Sequence, residues 1–323
     1  MAREAGPSGS DWTAGVAKAA RGIRKRVMEH TIANNGGYLS QACSSAEILA
    51  TLYLRTMRLG PSAAPMVPPP FPGVPGHSSA AYFTGEAYNG APSPAADRFY
   101  LSPAHYALVL YAALIEAGRM APAGLAQFNQ DGSTVEMIGA EHSPGFAMMG
   151  GSLAQTLSQA AGVTLARKRR GDTGRVWVFI SDGECQEGQT WEAVQSAAFY
   201  GLDRLGVFVD VNGQQCDGRT RDVMAVEPLE ERFRAFGARA FTVDGHDIAA
   251  MDAAAAPKAD GKPLVVICRT DPCRGVSILE KRAPKLHYVR FVSDAERDEY
   301  RRWYEANLAA AATGAATASA TKE

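Results

Sequence analysis

The sequence has no long apolar run, few cysteines and no excess of charge of either sign. No stretch of 18 or more consecutive apolar residues occurs, and the beginning of the chain lacks the apolar core of a secretory signal. Lys and Arg number 33 against 34 Asp and Glu, which does not favour a nucleic-acid or membrane surface. The 5 cysteines are scattered and lack metal-ligand spacing. These absences predict a soluble cytoplasmic protein with reduced thiols.

The length of 323 residues suits one large α/β domain with additions. We expect this domain over residues 11–307, a disordered segment over 1–10 and a disordered tail over 308–323. Residues 60–96 are rich in Pro, Ala, Gly and Ser and predict an irregular insertion. Helical spacing starts at Trp12, and a second helix is predicted to begin with a serine cap at Ser44.

The central stretch, residues 175–218, predicts a strand, an acidic turn, a helix and a second strand. The apolar run before Ser181 suits a strand that is buried on both faces of a parallel sheet. Helical spacing begins at Gly188, and a second apolar run ends before Asn212. The predicted fold class is therefore α/β, a parallel sheet flanked by helices.

Polar side chains follow both of these predicted strands. Asp182 comes after the first strand and Asn212, about 30 residues later, after the second. A right-handed crossover places both at the carboxyl edge of the sheet, where their oxygens, with the backbone carbonyl of Gln214, suit Mg²⁺ or Ca²⁺. A metal-bridged diphosphate is one interpretation. The alternative is an ordinary strand–helix–strand unit in which Asp182 and Asn212 cap helices or turns.

The strings S-D-G-E-C-Q-E-G-Q-T-W-E-A and D-V-N-G-Q-Q-C-D-G resemble the thiamine diphosphate motif of the transketolase family. Ser181 stands where the family has its first glycine. The resemblance implies a thiamine-diphosphate-binding domain of the diphosphate (PP) type. It also implies bound thiamine diphosphate and Mg²⁺, metal ligands at Asp182 and Asn212, and Gly183 and Glu184 at the cofactor.

Four further strings extend the resemblance to residues 12–295. D-R-F-Y-L-S-P-A-H aligns His105 with a family histidine that contacts the diphosphate. G-G-S-L brings residues 151–153 (Gly151, Ser152 and Leu153) to the aminopyrimidine ring. G-V-S-I-L-E implies that His287 contacts diphosphate and substrate, and G-G-Y-L places Tyr38 where the family has a substrate-facing histidine.

A complete transketolase continues with a pyrimidine-binding domain, which carries the glutamate that activates the cofactor. The resemblance therefore implies an N-terminal subunit of a split transketolase, joined to a C-terminal subunit in an α₂β₂ heterotetramer. Glu187 matches a glutamate that reaches toward the second cofactor site. The implied reaction transfers a two-carbon ketol unit from a ketose to an aldose. Tyr38 and a displaced His142 point to a modified sugar rather than the usual pentose phosphates.

Two alternatives remain open at this point. One is the α subunit of a 2-oxo acid dehydrogenase, which also binds thiamine diphosphate in a heterotetramer; release of CO₂ from pyruvate would identify it. The other is a non-catalytic paralogue that binds a partner subunit without turnover. Titration of thiamine diphosphate and Mg²⁺, with and without the partner, separates the second alternative from an enzyme.

Overall fold

A computed structural model describes residues 11–73 and 83–309 of the chain. The predicted disorder of residues 1–10 lies outside the described residues, as does nearly all of the predicted tail. Residues 308 and 309 are described, and they belong to the last helical turn, Glu305–Ala309.

Five parallel strands form the central sheet. The described residues contain seven strands in all, in chain order β1 (Arg98–Leu101), β2 (Val176–Ser181), β3 (Leu205–Val211), β4 (Gln214–Gln215), β5 (Gly218–Arg219), β6 (Arg239–Asp244) and β7 (Leu264–Arg269). The sheet has the order β1-β2-β3-β7-β6, and β4 and β5 pair separately as a small antiparallel hairpin just after β3. The predicted fold class, a parallel sheet flanked by helices, is confirmed.

Nine α-helices surround the sheet within the described ranges. They are α1 (Trp12–Ala33), α2 (Leu39–Thr51), α3 (Ala107–Glu116), α4 (Gln155–Arg170), α5 (Gly188–Phe199), α6 (Thr220–Val223), α7 (Leu229–Ala235), α8 (Ile248–Ala254) and α9 (Asp294–Tyr304). Alternate strand residues pack on opposite sides: Trp177 and Phe179 join the core under α1, α2, α3 and α8, whereas Val176 and Val178 join the core under α4, α5 and α7. This two-sided burial explains why the strands read as continuous apolar runs.

The second helix begins earlier than predicted. It starts at Leu39, with Tyr38 as its N-cap residue and no side-chain cap, so the expectation of a serine cap at Ser44 was wrong. Ser44 and Ser45 lie inside the helix and are buried. Ser45 donates to the Gln41 carbonyl at 2.6 Å, while Ser44 turns to a strand of the sheet. Tertiary hydrogen bonds therefore override the capping tendency of these serines.

The Pro-rich segment is irregular where it is described, apart from one 3₁₀ turn at Gly85–Asn89. Tyr88 is fully buried in the core under α1, α2 and α3, and the Gly85 N–H donates to the Glu141 carbonyl at 2.8 Å. Phe71 packs against His142, with ring centroids 4.5 Å apart. The segment is therefore anchored to the domain at both described ends, and its residues 74–82 lie outside the described residues.

A helix that crosses a bilayer must be both long and apolar. No helix in the described part of the chain meets both requirements.

Candidate active site

Asp182 and Asn212 meet at the carboxyl edge of the sheet. β2 and β3 are parallel neighbours, with Ser181 in register with Asp210, so the residues that follow them lie side by side. The Asp182 carboxylate accepts from the backbone N–H of Gly213 at 3.1 Å and from the Thr220 hydroxyl at 2.9 Å. The carboxylate thus ties the end of β2 to the turn that follows Asn212.

Only one of the two Asp182 carboxylate oxygens is hydrogen-bonded. Oδ2 accepts both bonds, whereas the buried Oδ1 has no hydrogen-bond partner within the described part of the chain. Burial, and after it the nearby charge of Asp210, raise the pKa of Asp182 from 3.8 to about 7. A carboxylate held this way favours a neutralising partner, which can be a proton or a cation.

Asp210 fixes the orientation of the Asn212 amide. Asp210 is fully buried in β3 and accepts from the hydroxyls of Ser44, Tyr106 and Thr270 at 2.7, 3.0 and 2.6 Å. The Asn212 Nδ2 group also donates to it at 3.0 Å. Because a carboxylate only accepts, the amide nitrogen must face Asp210. The amide oxygen therefore faces the following turn, where it accepts from the Gln214 N–H at 2.8 Å.

Glu184 organises the backbone behind this edge. Its carboxylate is fully buried, and it accepts from the Ser102 hydroxyl and from the backbone N–H groups of Ala154 and Ser181, both at 2.8 Å. Burial raises its pKa. The structure thus directs the Glu184 carboxylate into the protein, where it joins the ends of two strands to the loop before α4. Its contact with a cofactor stays a prediction.

A cleft of about 400 Å³ opens beside this edge. Eight of the residues selected from the sequence line it: Tyr38, His105, Gly151, Leu153, Gly183, Glu187, Gln214 and His287. A Cβ atom added at Gly183 would meet nothing within 4 Å, so the acidic turn presents bare backbone. The chain folds so that residues separated by up to 249 positions, from 38 to 287, surround one space.

Three aromatic side chains form one wall of the cleft. The ring centroids of Tyr38 lie 5.3 Å from His105 and 5.7 Å from His287, and the two imidazoles are 5.0 Å apart. Burial, followed by the neighbouring His287, lowers the pKa of His105 to about 3. Burial also lowers the pKa of His287 and raises that of Tyr38. At neutral pH this wall therefore carries hydrogen-bonding groups without charge.

The opposite side of the cleft comes from the loop before α4 and from the start of α5. Ala154 has a left-handed backbone, φ 67°, which turns the loop into the helix and leaves Leu153 40% exposed. Glu187 is the N-cap residue of α5 and lines the cleft. An intervening 3₁₀ turn, Asp182–Gln186, separates the strand end from α5.

Five sequence candidates do not line the cleft: Asp182, Asn212 and Glu184, which are buried at the strand edge, and Ser152 and His142. The Ser152 hydroxyl accepts from the Gln155 side chain at 3.0 Å and is exposed. His142 packs on Phe71, and its ring nitrogens lie 3.7 Å from the Glu136 carboxylate and 3.8 Å from that of Glu141. Its role as a displaced substrate-facing histidine stays a prediction.

Sequence reasoning missed Asp210, Tyr106 and Gln41, whose side-chain amide donates to the His287 carbonyl at 2.9 Å. Asp210 carried a signal, since it is the one charged residue in the apolar string L-G-V-F-V-D-V, and a buried charge requires dedicated partners. Tyr106 and Gln41 carried none, because their positions depend on contacts between elements far apart in sequence.

The donor set at this edge fits a hard cation. Asp182 Oδ1 is an unpaired buried carboxylate oxygen, and the buried side-chain oxygen of Gln214, in the turn after Asn212, also lacks a partner among the described residues. Within those residues no group of three or more His, Cys, Asp or Glu side chains suits a metal. A cation here would be held by the Asp182 carboxylate, by amide or carbonyl oxygens of the chain and by an anion from outside the chain. Mg²⁺ bound to a diphosphate suits such a ligand set.

A recognised protein family matches this chain. The thiamine diphosphate binding domain of transketolase matches residues 88–282, which contain β1, β2, β3 and the edge that carries Asp182 and Asn212. The chain belongs to the transketolase family and contains its thiamine diphosphate binding domain.

Three relatives are similar over most of their own length. An uncharacterised transketolase family protein of Sinorhizobium fredii is 36% identical over 84% of this chain and 88% of its own. The 6-deoxy-6-sulfo-D-fructose transketolase subunit of a Clostridium species is 32% identical over 80% of this chain and 85% of its own length. One of the apulose-4-phosphate transketolase subunits of Actinobacillus succinogenes is 30% identical over 84% and 89%.

Solved transketolase structures share the fold. The enzyme from Pichia stipitis, in complex with sedoheptulose-7-phosphate, superposes with a TM-score of 0.66 at 22% identity, over 91% of this chain and 44% of that chain. The enzyme from Campylobacter jejuni superposes with a TM-score of 0.68 at 19% identity, over 90% of this chain and 46% of that chain. This chain thus spans less than half the length of the solved transketolases that it matches.

Proposed function

We propose that this chain is the diphosphate-binding subunit of a two-component transketolase that requires thiamine diphosphate and Mg²⁺. The observation that carries the proposal is the unpaired, buried Oδ1 atom of Asp182 at the strand edge, next to the turn of Asn212. The match to the transketolase domain supports it, as does the high coverage of relatives that are named as subunits. These relatives favour a transketolase over the 2-oxo acid dehydrogenase alternative.

In this proposal Asp182, Asn212 and the backbone carbonyl of Gln214 hold the cation that neutralises the diphosphate. His105 and His287 are neutral imidazoles that donate hydrogen bonds to diphosphate or substrate oxygens. The backbone of Gly183 and the loop of Gly151 and Leu153 leave room for a flat heterocycle. Bound thiamine diphosphate supplies the electron sink for cleavage and formation of the carbon–carbon bond.

The residues of this chain position and hydrogen-bond the reactants, and we propose that a C-terminal subunit contributes the pyrimidine-binding domain with its activating glutamate. A general acid–base group must lie within hydrogen-bond reach of the ring that it activates. Glu187, at the start of α5 in the cleft wall, is then placed to contact a neighbouring subunit in an α₂β₂ assembly.

We further propose a sugar other than the usual pentose phosphates as donor or acceptor. Tyr38 is held in the aromatic wall against both histidines, and burial raises its pKa, so its hydroxyl remains a neutral donor. A phenol transfers protons less readily than an imidazole near neutral pH. Two of the relatives are named for other sugars, 6-deoxy-6-sulfo-D-fructose and apulose-4-phosphate.

The test is to purify the chain alone and together with a pyrimidine-domain subunit from the same genome. We expect Mg²⁺-dependent binding of thiamine diphosphate in both samples, and ketol transfer only in the complex. Asp182→Asn should abolish the Mg²⁺-dependent binding, and Asp203→Asn, in the turn before β3, is the matched control. Ketol transfer by the isolated chain, or CO₂ release from pyruvate by the complex, would contradict the proposal. Cofactor binding without any turnover would identify the non-catalytic paralogue.

A further inference from the structure

The first turn of α2 holds the segment that carries His287. The Ser40 hydroxyl donates to the carbonyl of the residue before His287 at 2.8 Å, and Gln41 Nε2 donates to the His287 carbonyl at 2.9 Å. Gly37 and Val289 exchange two backbone hydrogen bonds of 3.0 Å each. The backbone on both sides of His287 is therefore fixed against the beginning of this helix.

The hydrogen bond to the carbonyl determines which way the Gln41 amide points. A backbone carbonyl only accepts, so the amide group 2.9 Å from it must be the NH₂ group. The reverse orientation would place two acceptor oxygens against each other at the same distance. Gln41 is 2% exposed, so solvent does not relieve such a contact.

The same NH₂ group lies 3.4 Å from Nδ1 of the His287 ring. Since that group has no lone pair to offer, Nδ1 faces a donor and must act as the acceptor. In a neutral imidazole one nitrogen accepts and the other carries the proton. The proton of His287 is then on Nε2, the ring nitrogen that Gln41 does not contact.

We propose that Gln41 is a positioning residue that assigns the proton of His287 to Nε2, so that this histidine presents an N–H donor to the cleft. Gln41 itself is absent from the cleft wall and acts through the ring. His105 and Tyr38, which face the same ring at centroid distances of 5.0 and 5.7 Å, are uncharged at neutral pH. The use of this donor toward a diphosphate or substrate oxygen rests on the proposed function, whereas the position of the proton does not.

The experiment labels the histidine rings of the full chain with ¹⁵N and records long-range ¹H–¹⁵N spectra above the pKa of His287. A His287→Gln variant assigns the signals among the 6 histidines. In the wild type we expect Nδ1 in the unprotonated range and Nε2 in the protonated range. In Gln41→Glu the carboxylate accepts from the ring, so the proton should move to Nδ1.

Ser45→Ala is the matched control, because it removes a hydrogen bond to the backbone carbonyl of Gln41 without touching the Gln41 amide or the imidazole. We expect it to keep the wild-type pattern. If Gln41→Glu does not fold, Gln41→Met frees the ring, and His287 should then populate both tautomers. The proposal would be overturned if the wild-type spectra place the His287 proton on Nδ1. It would also be overturned if the folded Gln41 variants show the same His287 pattern as the wild type.

A binding measurement connects the tautomer to the function. In the complex with the partner subunit, Gln41→Glu should weaken thiamine diphosphate binding in the presence of Mg²⁺ by about tenfold or more, because Nε2 would then turn a lone pair toward an anion. Ser45→Ala should weaken it by less. If the wild type binds no thiamine diphosphate while the spectra still place the proton on Nε2, the proposed function fails and the role of Gln41 stands.

Discussion

Substitution of Asp182 by Asn should stabilise the folded chain in the absence of metal. Burial and the charge of Asp210 raise the Asp182 pKa to about 7, against 3.8 for an exposed carboxyl group. Since the folded pKa is the higher one, the stabilising contribution is present below pH 3.8 and is lost as the pH rises through about 7. Each unit of difference between the folded and unfolded pKa is worth about 1.4 kcal/mol. Ionised Asp182 therefore lowers the free energy of unfolding by roughly 4 kcal/mol at pH 8.

The Asn side chain keeps the local geometry that this comparison requires. Its carbonyl oxygen can accept from Gly213 and Thr220 as Oδ2 of the carboxylate does, and its NH₂ group takes the place of the unpaired Oδ1. At pH 8 the Asp182→Asn substitution should therefore raise the free energy of unfolding by nearly the full cost of the buried charge. At pH 5 the gain should be less than half of that cost.

Urea denaturation of the metal-free wild type and of Asp182→Asn, at pH 5 and pH 8, measures this difference. A second pair of curves, with Mg²⁺ and thiamine diphosphate, should stabilise only the wild type, because ligand binding to the folded state adds to its stability. If the variant is no more stable than the wild type at pH 8, or if it still gains stability from Mg²⁺ and the cofactor, the reasoning about this carboxylate is refuted.

Three further predictions concern the wall of the cleft and the buried polar groups behind it. Tyr38→His should raise the activity of the complex on pentose phosphates by roughly tenfold or more, and unchanged kcat/KM would count against the role of Tyr38. Burial acts to raise the Glu47 pKa, but hydrogen bonds from His246 and Arg24 outweigh it and hold this pKa at about 2, against 4.5 when exposed. That stabilisation is present above pH 4.5 and is lost as the pH falls through about 2. Glu47→Gln should therefore cost roughly 3 kcal/mol at pH 7 and less than half of that in urea curves at pH 3. Ser44→Ala leaves Asp210 one donor short and should cost about 2 kcal/mol in thermal or urea unfolding, whereas Ser45→Ala should cost less than about 1 kcal/mol; equal losses would argue against a special role for the bond to Asp210.

Several features of the fold and the site were readable from local sequence. The apolar strings of β2 and β3 predict buried parallel strands, and the structure places these strands side by side. Because parallel strands end at a common edge, the positions of Asp182 and Asn212 follow from the strand pattern alone. The family motifs likewise selected eight residues that line the same cleft.

Local patterns gave the wrong start for α2. Serine commonly caps helices, yet Ser44 is buried inside this one and donates to Asp210, 166 positions away. A preference worth about 1 kcal/mol yields to a hydrogen bond with a buried carboxylate, whose loss costs more.

The sequence by itself determined the α/β class, the family and the pair of side chains at the strand edge, because strand periodicity and strand direction are properties of neighbouring residues. Only the tertiary structure decided which Asp182 oxygen stays unpaired, which way the Asn212 amide faces and which nitrogen of His287 meets Gln41. Each of these depends on hydrogen bonds between segments that are far apart along the chain. The direction of such a bond is set by which atoms meet, and local sequence carries no record of that.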